Sequence, residues 1–150
     1  MISVKLRKLN PNAIIPTRGS EHAAGYDLYV ALDGDEVKSI EIPAHATVKV
    51  GTGLALSVPD DYFGAIFARS GIATNRGLRP ANCVGVVDSD YTGEIIVALH
   101  NDTDLPQAIE LGERIAQLVI MPYQCVSFTE VDELTETQRG DSGFGQSGRM

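Results

Sequence analysis

The chain has 150 residues, which is enough for one ordinary domain with a buried core and leaves little room for a second. Its 12 Lys and Arg against 20 Asp and Glu give a net charge of −8, which argues against general attraction to nucleic-acid backbones or anionic membranes. The apolar runs are far shorter than the roughly 20 residues of a membrane-spanning helix. The segment MISVKLRKLN has neither an apolar signal core nor an Arg/Ser-rich amphipathic pattern, so we expect no targeting for export or to an organelle. We therefore expect a cytoplasmic protein, or a nuclear one if the source is eukaryotic or viral.

Side chains that ligate metals are few and scattered. The two cysteines, Cys83 and Cys125, are too few for a disulfide scaffold and indicate a reducing compartment. Neither they nor the three histidines have the spacing of zinc ligands, which disfavours a zinc hydrolase or a zinc deaminase. We expect Cys83 to be a small buried apolar residue.

Alternation of apolar and polar residues, the pattern of half-buried strands, dominates the chain. It occurs in residues 2–6, 48–50, 54–58 and 95–99, while residues 114–121 are more continuously apolar, as in a strand buried on both faces. Gly and Pro separate these segments. Many short strands with turn signals and little helical periodicity predict an all-β barrel or sandwich.

Three segments predict other local structure. One short helix is expected after Ser70, whose hydroxyl would cap it, with Gly77 as its stop. Residues 129–137 are compatible with either a short helix or a strand. Residues 85–94 place two β-prone segments around a polar centre with a turn glycine, which predicts a β-hairpin. Its Asp88 is either a turn residue bonded to nearby backbone or a base held at the mouth of the hairpin.

The last segment, residues 139–150, is rich in glycine around a single Phe144 and cannot pack a core. A Gly-rich terminus is usually disordered. One aromatic ring between glycines, with an Arg near each end, also suits a flap that orders over something flat and anionic. Residues 143–148 fit the letters of the dinucleotide-binding motif GxGxxG, but we do not expect a dinucleotide site there, because that motif needs a helix after it and none is seen in this sequence.

Five segments taken together resemble the five ordered motifs of the trimeric dUTP pyrophosphatases, or dUTPases. They are residues 24–28, 69–71, 85–93, 112–118 and 139–148, in the family's order and with similar spacing. The resemblance covers nearly the whole chain, and five motifs in order are far more specific than any one of them. Two positions depart from the family pattern: Ser142 stands where Gly is frequent, and Gln146 where Ser or His is common.

This resemblance implies a distorted jelly-roll-like β-barrel with one short helix and a flexible Gly-rich C-terminal tail. The expected division is a β-barrel dUTPase domain, residues 1–136, and a mobile tail, residues 137–150, that closes over the active site. The resemblance implies a homotrimer with active sites at subunit interfaces, which uses Mg²⁺ to hydrolyse dUTP to dUMP and pyrophosphate. Such an activity limits uracil incorporation into DNA and supplies dUMP for thymidylate synthesis, with no nucleic-acid or membrane partner.

The resemblance also assigns roles to residues at matching positions. Asp88 would deprotonate the water that attacks the α-phosphorus, and a positioned base of this kind contributes about 10²–10⁴ in rate. Tyr91 would lie under the deoxyribose and exclude a 2′-hydroxyl. Asn82, with the backbone at Gly85 and Val87, would hydrogen-bond the uracil edge and reject cytosine.

The remaining motifs would handle charge. Asp27 would contact Mg²⁺ through water, with a structural Asp in a turn before a strand as the alternative, and we expect Arg114 to be structural or interfacial. Residues expected to hold the substrate's phosphates, or to form the lid over it, come from three motifs. They are Arg69, Ser70, Gly71, Gln117, Arg139, Phe144 (stacked on uracil), Gly145, Ser147 and Gly148.

Two other classes of protein compete with this interpretation. A dCTP deaminase, or a bifunctional deaminase–pyrophosphatase, on the related fold would be expected to have a Glu base and an Arg-Ser-Ser segment in place of residues 69–71. A non-catalytic nucleotide sensor or an assembly protein would need none of Asp88, Tyr91, Arg139 and Phe144.

Overall fold

The computed structural model describes residues 2–34 and 37–141, in which the all-β prediction is confirmed. The strands are β1 (Lys5–Lys8), β2 (Thr17–Arg18), β3 (Tyr26–Tyr29), β4 (Ser39–Ile42), β5 (Thr47–Ser57), β6 (Tyr62–Phe67), β7 (Leu78–Pro80), β8 (Val84–Val87), β9 (Glu94–Asn101), β10 (Gln107–Glu110) and β11 (Arg114–Pro122). One helix, α1 (Ser70–Arg76), lies between β6 and β7.

The strands form three antiparallel sheets that, within these residues, do not join into one closed barrel. A four-stranded sheet has the order β1-β5-β9-β7, a five-stranded sheet the order β2-β3-β11-β6-β8, and β10 pairs with β4. The core contains the inward side chains of these sheets, among them Leu28, Val50, Leu99 and Ile115, each fully buried. Burial of one face of each strand is the main source of stability for such a fold.

Alternation in the sequence corresponds to the observed faces. In β9 the side chains of Ile95, Val97 and Leu99 are buried, while Ile96 between them is exposed. The run 114–121 is buried on both faces only in its first half, where a register shift between Arg114 and Ala116 accompanies two consecutive buried residues.

The predicted β-hairpin over residues 85–94 is wrong. Strand β8 pairs with β6 in the five-stranded sheet, whereas β9 pairs with β5 and β7 in the four-stranded sheet. The loop 88–93 therefore crosses from one sheet to the other. Alternation defines which side of a strand is apolar and says nothing about its partner, and two sheets packed face to face can bury both strands without pairing them.

The helix prediction is right at one end only. Arg69 occupies the N-cap position in an extended conformation without a side-chain capping bond, so Ser70 is the first helical residue and not the cap. Gly77 ends the helix in the left-handed region, at φ 63°, and its N–H donates to the carbonyl of Ile72. Glycine adopts this conformation without the steric penalty of a Cβ.

Two further expectations meet the structure differently. Cys83 is exposed, so its predicted burial is wrong; it lies in a turn ahead of β8, outside the core. Residues 123–141 are exposed and contain neither helix nor strand, so neither alternative for residues 129–137 is present. The boundary between residues 136 and 137 stays a prediction. The one helix found among the described residues is too short to span a membrane.

Candidate active site

A cavity of about 220 Å³, here called the loop cavity, lies where the chain crosses between the two large sheets. Five of the predicted site residues line it: Asn82, Gly85, Val87, Asp88 and Tyr91. Sequence reasoning did not select its other lining residues, which are Ile66, Val86, Glu94, Ile95 and Ile96. The structure thus brings into one cavity the residues predicted to bind the uracil, to contact the deoxyribose and to activate the attacking water.

Asp88 presents an exposed carboxylate at the start of the crossing loop. Its backbone carbonyl accepts the N–H of Tyr91 at 3.2 Å, which closes a turn and fixes the two residues relative to each other. No ion pair joins its carboxylate to any other residue within 2–34 or 37–141. Both oxygens are therefore available to accept a proton from a water molecule.

The Tyr91 ring is held against its own loop. Its hydroxyl donates a hydrogen bond to the carbonyl of Glu94 at 2.8 Å. A Cβ on Gly93 would lie 2.6 Å from the Tyr91 hydroxyl oxygen and 2.7 Å from the ring carbon that bears it. Only glycine at position 93 leaves room for the ring in this orientation, so that glycine determines the shape of the loop cavity.

The Asn82 side chain lies over Gly85. A Cβ at position 85 would be 3.3 Å from Asn82 Nδ2 and 3.2 Å from the Cβ of Ile66, its partner in the β6–β8 register. Gly85 therefore lets the amide approach the backbone of β8 closely. The amide and the nearby peptide groups together offer both donors and acceptors to a planar ligand.

A second cavity of about 280 Å³, here called the arginine cavity, lies beside the helix. It is lined by Arg69, Gly71, Ile72, Asn75, Arg76, Glu113 and Arg114, of which Arg69 and Gly71 are predicted phosphate-binding residues. Among residues 2–34 and 37–141, the two cavities have no lining residue in common. Within this part of one chain, the predicted uracil-binding residues and Arg69 and Gly71 therefore lie in different cavities.

Asp27 is buried on β3 between two guanidinium groups. Its Oδ1 accepts from Arg69 Nε at 2.7 Å and its Oδ2 from Arg114 Nη1 at 3.3 Å. Asp27 lies within the strand and not in a turn before it. Arg114, expected to be structural or interfacial, is half-exposed and forms the second of the two ion pairs that share Asp27.

These contacts limit how Asp27 could meet a metal ion. No group of three or more His, Cys, Asp or Glu residues able to hold a metal occurs within 2–34 and 37–141. Each Asp27 oxygen accepts one charged hydrogen bond and has a lone pair left for a water proton. The donor set fits contact with Mg²⁺ through a water molecule, and does not fit a site made of protein ligands alone.

Gln117 and Ser70 lie near the ion pair in the fold. Gln117 is opposite Asp27 in the β3–β11 register, and its Nε2 donates to the carbonyl of Ala68 at 2.9 Å. A Cβ on Gly25 would collide with Gln117 Oε1, which explains a glycine at that position. Ser70 is exposed at the start of α1.

Sequence reasoning missed Arg76, which pairs with Glu113 and also donates to the carbonyl of Ala108. It ties the helix to the segment that leads into β11. A basic residue in the last turn of a helix is the one sequence signal that could have marked it, because that position favours cations. The contact itself joins residues far apart in the chain.

Of the tail residues predicted to contact the substrate, only Arg139 is among the described residues. Arg139 lies in the exposed segment 123–141. Phe144, Gly145, Ser147 and Gly148 lie outside the described residues. Their predicted contacts with uracil and phosphate stay predictions.

The dUTPase family model matches residues 11–148, which include all five motifs. The chain belongs to the dUTPase family. It is 44% identical over 148 residues to the deoxyuridine 5'-triphosphate nucleotidohydrolase of Corynebacterium efficiens, covering 98% of this chain and 78% of that protein. A protein of the same name from Syntrophotalea carbinolica is 40% identical over 147 residues, covering 98% and 97% of the two chains.

The fold has counterparts among solved structures of this family. A mutant dUTPase of Staphylococcus bacteriophage 80alpha, solved with dUpNHpp, matches with a TM-score of 0.88 and 26% identity. The match covers 99% of this chain and 100% of that one. The all-β, jelly-roll-like class expected from the resemblance is therefore confirmed, although the sheets do not close into a barrel in the described residues.

Proposed function

We propose that this chain hydrolyses dUTP to dUMP and pyrophosphate, at sites completed between the subunits of a homotrimer. The observation that carries the proposal is the loop cavity, where Asn82, Asp88 and Tyr91 meet in a chain of the dUTPase family. The curated relatives are named for hydrolysis of this nucleotide, and the phage dUTPase was solved with dUpNHpp, an analogue of dUTP.

The base and sugar bind in the loop cavity. Asn82 and the β8 backbone pair with the uracil edge, and cytosine is rejected because its donor and acceptor are exchanged. A buried polar group left unpaired costs about 1–3 kcal/mol, so a few such contacts make the site selective. The Tyr91 ring lies under the deoxyribose, where a 2′-hydroxyl would collide with it.

Asp88 acts as the general base. Its carboxylate accepts a proton from a water molecule as that water attacks the α-phosphorus. The bond from this phosphorus to the α,β-bridging oxygen breaks, and pyrophosphate leaves with the electron pair. The exposed position of Asp88, without a cation partner among the described residues, suits it to proton transfer.

The phosphates bind on the arginine side, through Arg69, Ser70, Gly71 and Gln117. Because the chain carries a net charge of −8, attraction for a triphosphate has to come from local cations and not from the overall field. Phosphoryl transfer depends mainly on positioning and charge neutralisation, which these groups supply.

Mg²⁺ is proposed to arrive on the triphosphate. The ion retains several waters and binds phosphate oxygens readily, and Asp27 would accept a hydrogen bond from one of those waters. When bound, the metal would neutralise charge on the phosphate oxygens. Arg69 and Arg114 keep the Asp27 carboxylate oriented for this contact.

A complete site requires more than one copy of the chain. Of the groups proposed for the phosphates, Arg69 and Gly71 line the arginine cavity, which shares none of its described lining residues with the loop cavity. A closed symmetric trimer can bring the loop cavity of one subunit against the arginine cavity of the next. The tail, residues 137–150, would then close over the nucleotide through Arg139, Phe144, Gly145, Ser147 and Gly148, and would exclude bulk water.

The experiment is to measure pyrophosphate release from dUTP, dCTP, dTTP, dATP, dGTP and UTP, with and without Mg²⁺. We expect rapid release from dUTP alone, and a much slower reaction without Mg²⁺. Ammonia released from dCTP would support a deaminase instead. Tight binding of dUTP with no turnover would support a nucleotide sensor.

A further inference from the structure

The turn that carries Asn82 is conformationally strained. The N–H of Val84 donates to the carbonyl of Asn82 at 2.6 Å, and the N–H of Cys83 donates to the carbonyl of Pro80 at 3.1 Å. Cys83, between Asn82 and Val84, has φ 60°, in the left-handed region that residues with a Cβ rarely adopt. Such a conformation persists only where the surrounding structure stabilises it, so contacts around this turn must offset the strain.

Arg79, the residue just before the turn, contacts it through its guanidinium group. Its Nε and Nη2 donate to the two oxygens of Asp102, at 2.7 Å and 3.0 Å, in the paired arrangement that guanidinium and carboxylate favour. Its third nitrogen, Nη1, faces the turn, 3.5 Å from the carbonyl of Pro80 and 3.9 Å from Cys83 Sγ. The guanidinium therefore lies between a carboxylate and the strained turn.

Asp102 is itself held by its neighbours. Asn101 is fully buried, its amide nitrogen donates to three backbone carbonyls, and its Oδ1 accepts from the N–H and the hydroxyl of Thr103. The backbone N–H of Asp102 donates to the carbonyl of Gly77 at 2.9 Å. A carboxylate carried on a fixed backbone orients Arg79 at a lower entropic cost than one on a mobile backbone does.

The ion pair is charged near neutral pH. The hydrogen bond from Arg79 holds the pKa of Asp102 below its usual value of 3.8. His100 lies within 3.5 Å of the same carboxylate, with its other ring nitrogen 2.9 Å from the hydroxyl of Thr47. These contacts keep Asp102 ionised and available to Arg79.

We propose that Arg79 and Asp102 are positioning residues that hold the turn 80–84 in the shape with which Asn82 reads the uracil edge. Neither residue lines the loop cavity, so both act through Asn82. This inference rests on the role proposed above for Asn82, and it adds two specificity-determining residues behind the site.

Two substitutions of opposite charge test it. Arg79→Met removes a cation and Asp102→Asn removes an anion, yet each breaks the same ion pair between Arg79 and Asp102, here called the clamp. We expect each to raise KM for dUTP by about tenfold, to lower the preference for dUTP over dCTP by a similar factor, and to change kcat by less than about twofold. If the two variants instead change KM in opposite directions, the charges act on the triphosphate by simple electrostatics and the proposal is wrong.

The double variant and Arg79→Lys sharpen the result. A shared clamp predicts that the double variant resembles either single one, whereas additive losses would contradict it. Lysine keeps the charge without the planar fork, so it should fail to restore the dUTP preference; full restoration would also count against the clamp. Asp104→Asn is the matched control, because it removes the exposed pair with His45 and should leave KM unchanged.

Asn82→Ala separates failure of this inference from failure of the proposed function. If it lowers the dUTP preference while Arg79→Met and Asp102→Asn do not, only the clamp is refuted. If it leaves the preference unchanged, the proposed role of Asn82 fails and the clamp fails with it. Melting temperatures within a few degrees of the parent, at matched concentration, show that the variants are folded.

Discussion

The loop cavity and the arginine cavity differ in the kind of groups that line them, and therefore in the part of a ligand that each can bind. The loop cavity is lined by backbone, aromatic and apolar groups, the Asn82 amide and two carboxylates, those of Asp88 and Glu94, which have no cation partner among the described residues. The arginine cavity is formed around charge, with Asp27 held between Arg69 and Arg114. Shape and hydrogen bonding suit recognition of a neutral base, whereas paired cations suit a polyanion. The contrast explains how an acidic protein can bind an acidic substrate.

Asp88→Asn should give the largest effect and should fall on one cavity alone. The amide is nearly the same size as the carboxylate but cannot accept the proton of the attacking water. We expect kcat to fall by about 10²–10⁴ while binding of dUpNHpp is nearly unchanged. Stopped-flow turnover together with calorimetric titration measures the two quantities. Near-normal turnover would remove Asp88 as the base.

Removing the tail tests whether the two cavities suffice without a lid. A chain ending at Gln138 should lose about 10²-fold in kcat/KM, because the phosphates lose contacts and water enters the site. Sedimentation and melting should be unchanged, since residues 139–141, the described part of the removed segment, are exposed and belong to no strand. Full activity of the shortened chain would mean that the lid has no role.

Gly93→Ala should alter the loop cavity without touching a charged group. The new Cβ would collide with the Tyr91 ring, so the ring must move and the preference for dUTP over UTP should fall by about tenfold. Gly19→Ala is the matched control, because nothing lies within 4 Å of its added Cβ. An unchanged ratio in the Gly93 variant would contradict the role of Tyr91 in excluding the 2′-hydroxyl.

Within the arginine cavity, the two guanidinium groups that pair with Asp27 should differ in their effect on stability. Arg69→Met leaves the buried Asp27 carboxylate without its shorter hydrogen bond, which should cost about 1–3 kcal/mol. Arg114 is 51% exposed, so Arg114→Met should cost less than about 1 kcal/mol after solvent screening. Urea unfolding at fixed protein concentration measures both. Equal costs would mean that burial does not determine the strength of these contacts.

The sequence predicted the elements better than their partners. Alternation correctly marked the buried faces of β9, and Gly77 correctly ended the helix. The hairpin was wrong because pairing is decided by which sheets pack over the core, and that information lies far away in the chain. Ser70 was wrong as a cap because Arg69 already occupies the extended N-cap position.

For the site, motif order located the residues but not their contacts. Asn82, Asp88 and Tyr91 are close in sequence, so their common cavity could be anticipated. The pairing of Asp27 with Arg114 joins residues 87 positions apart, and no local pattern reports it. Burial of Cys83 was expected from its residue type alone. The strained turn that exposes it depends on contacts with other strands.

The most direct test of the account mixes two inactive variants. Asp88→Asn and Arg69→Met subunits, folded separately and then reassembled together, should regain activity if the two cavities of one site come from different subunits. Random assortment in a closed trimer predicts that about a quarter of the sites become complete. Ser70→Ala serves as a second partner in case Arg69→Met assembles poorly. Activity no greater than the sum of the two separate variants would contradict the account, because both groups would then act within one chain.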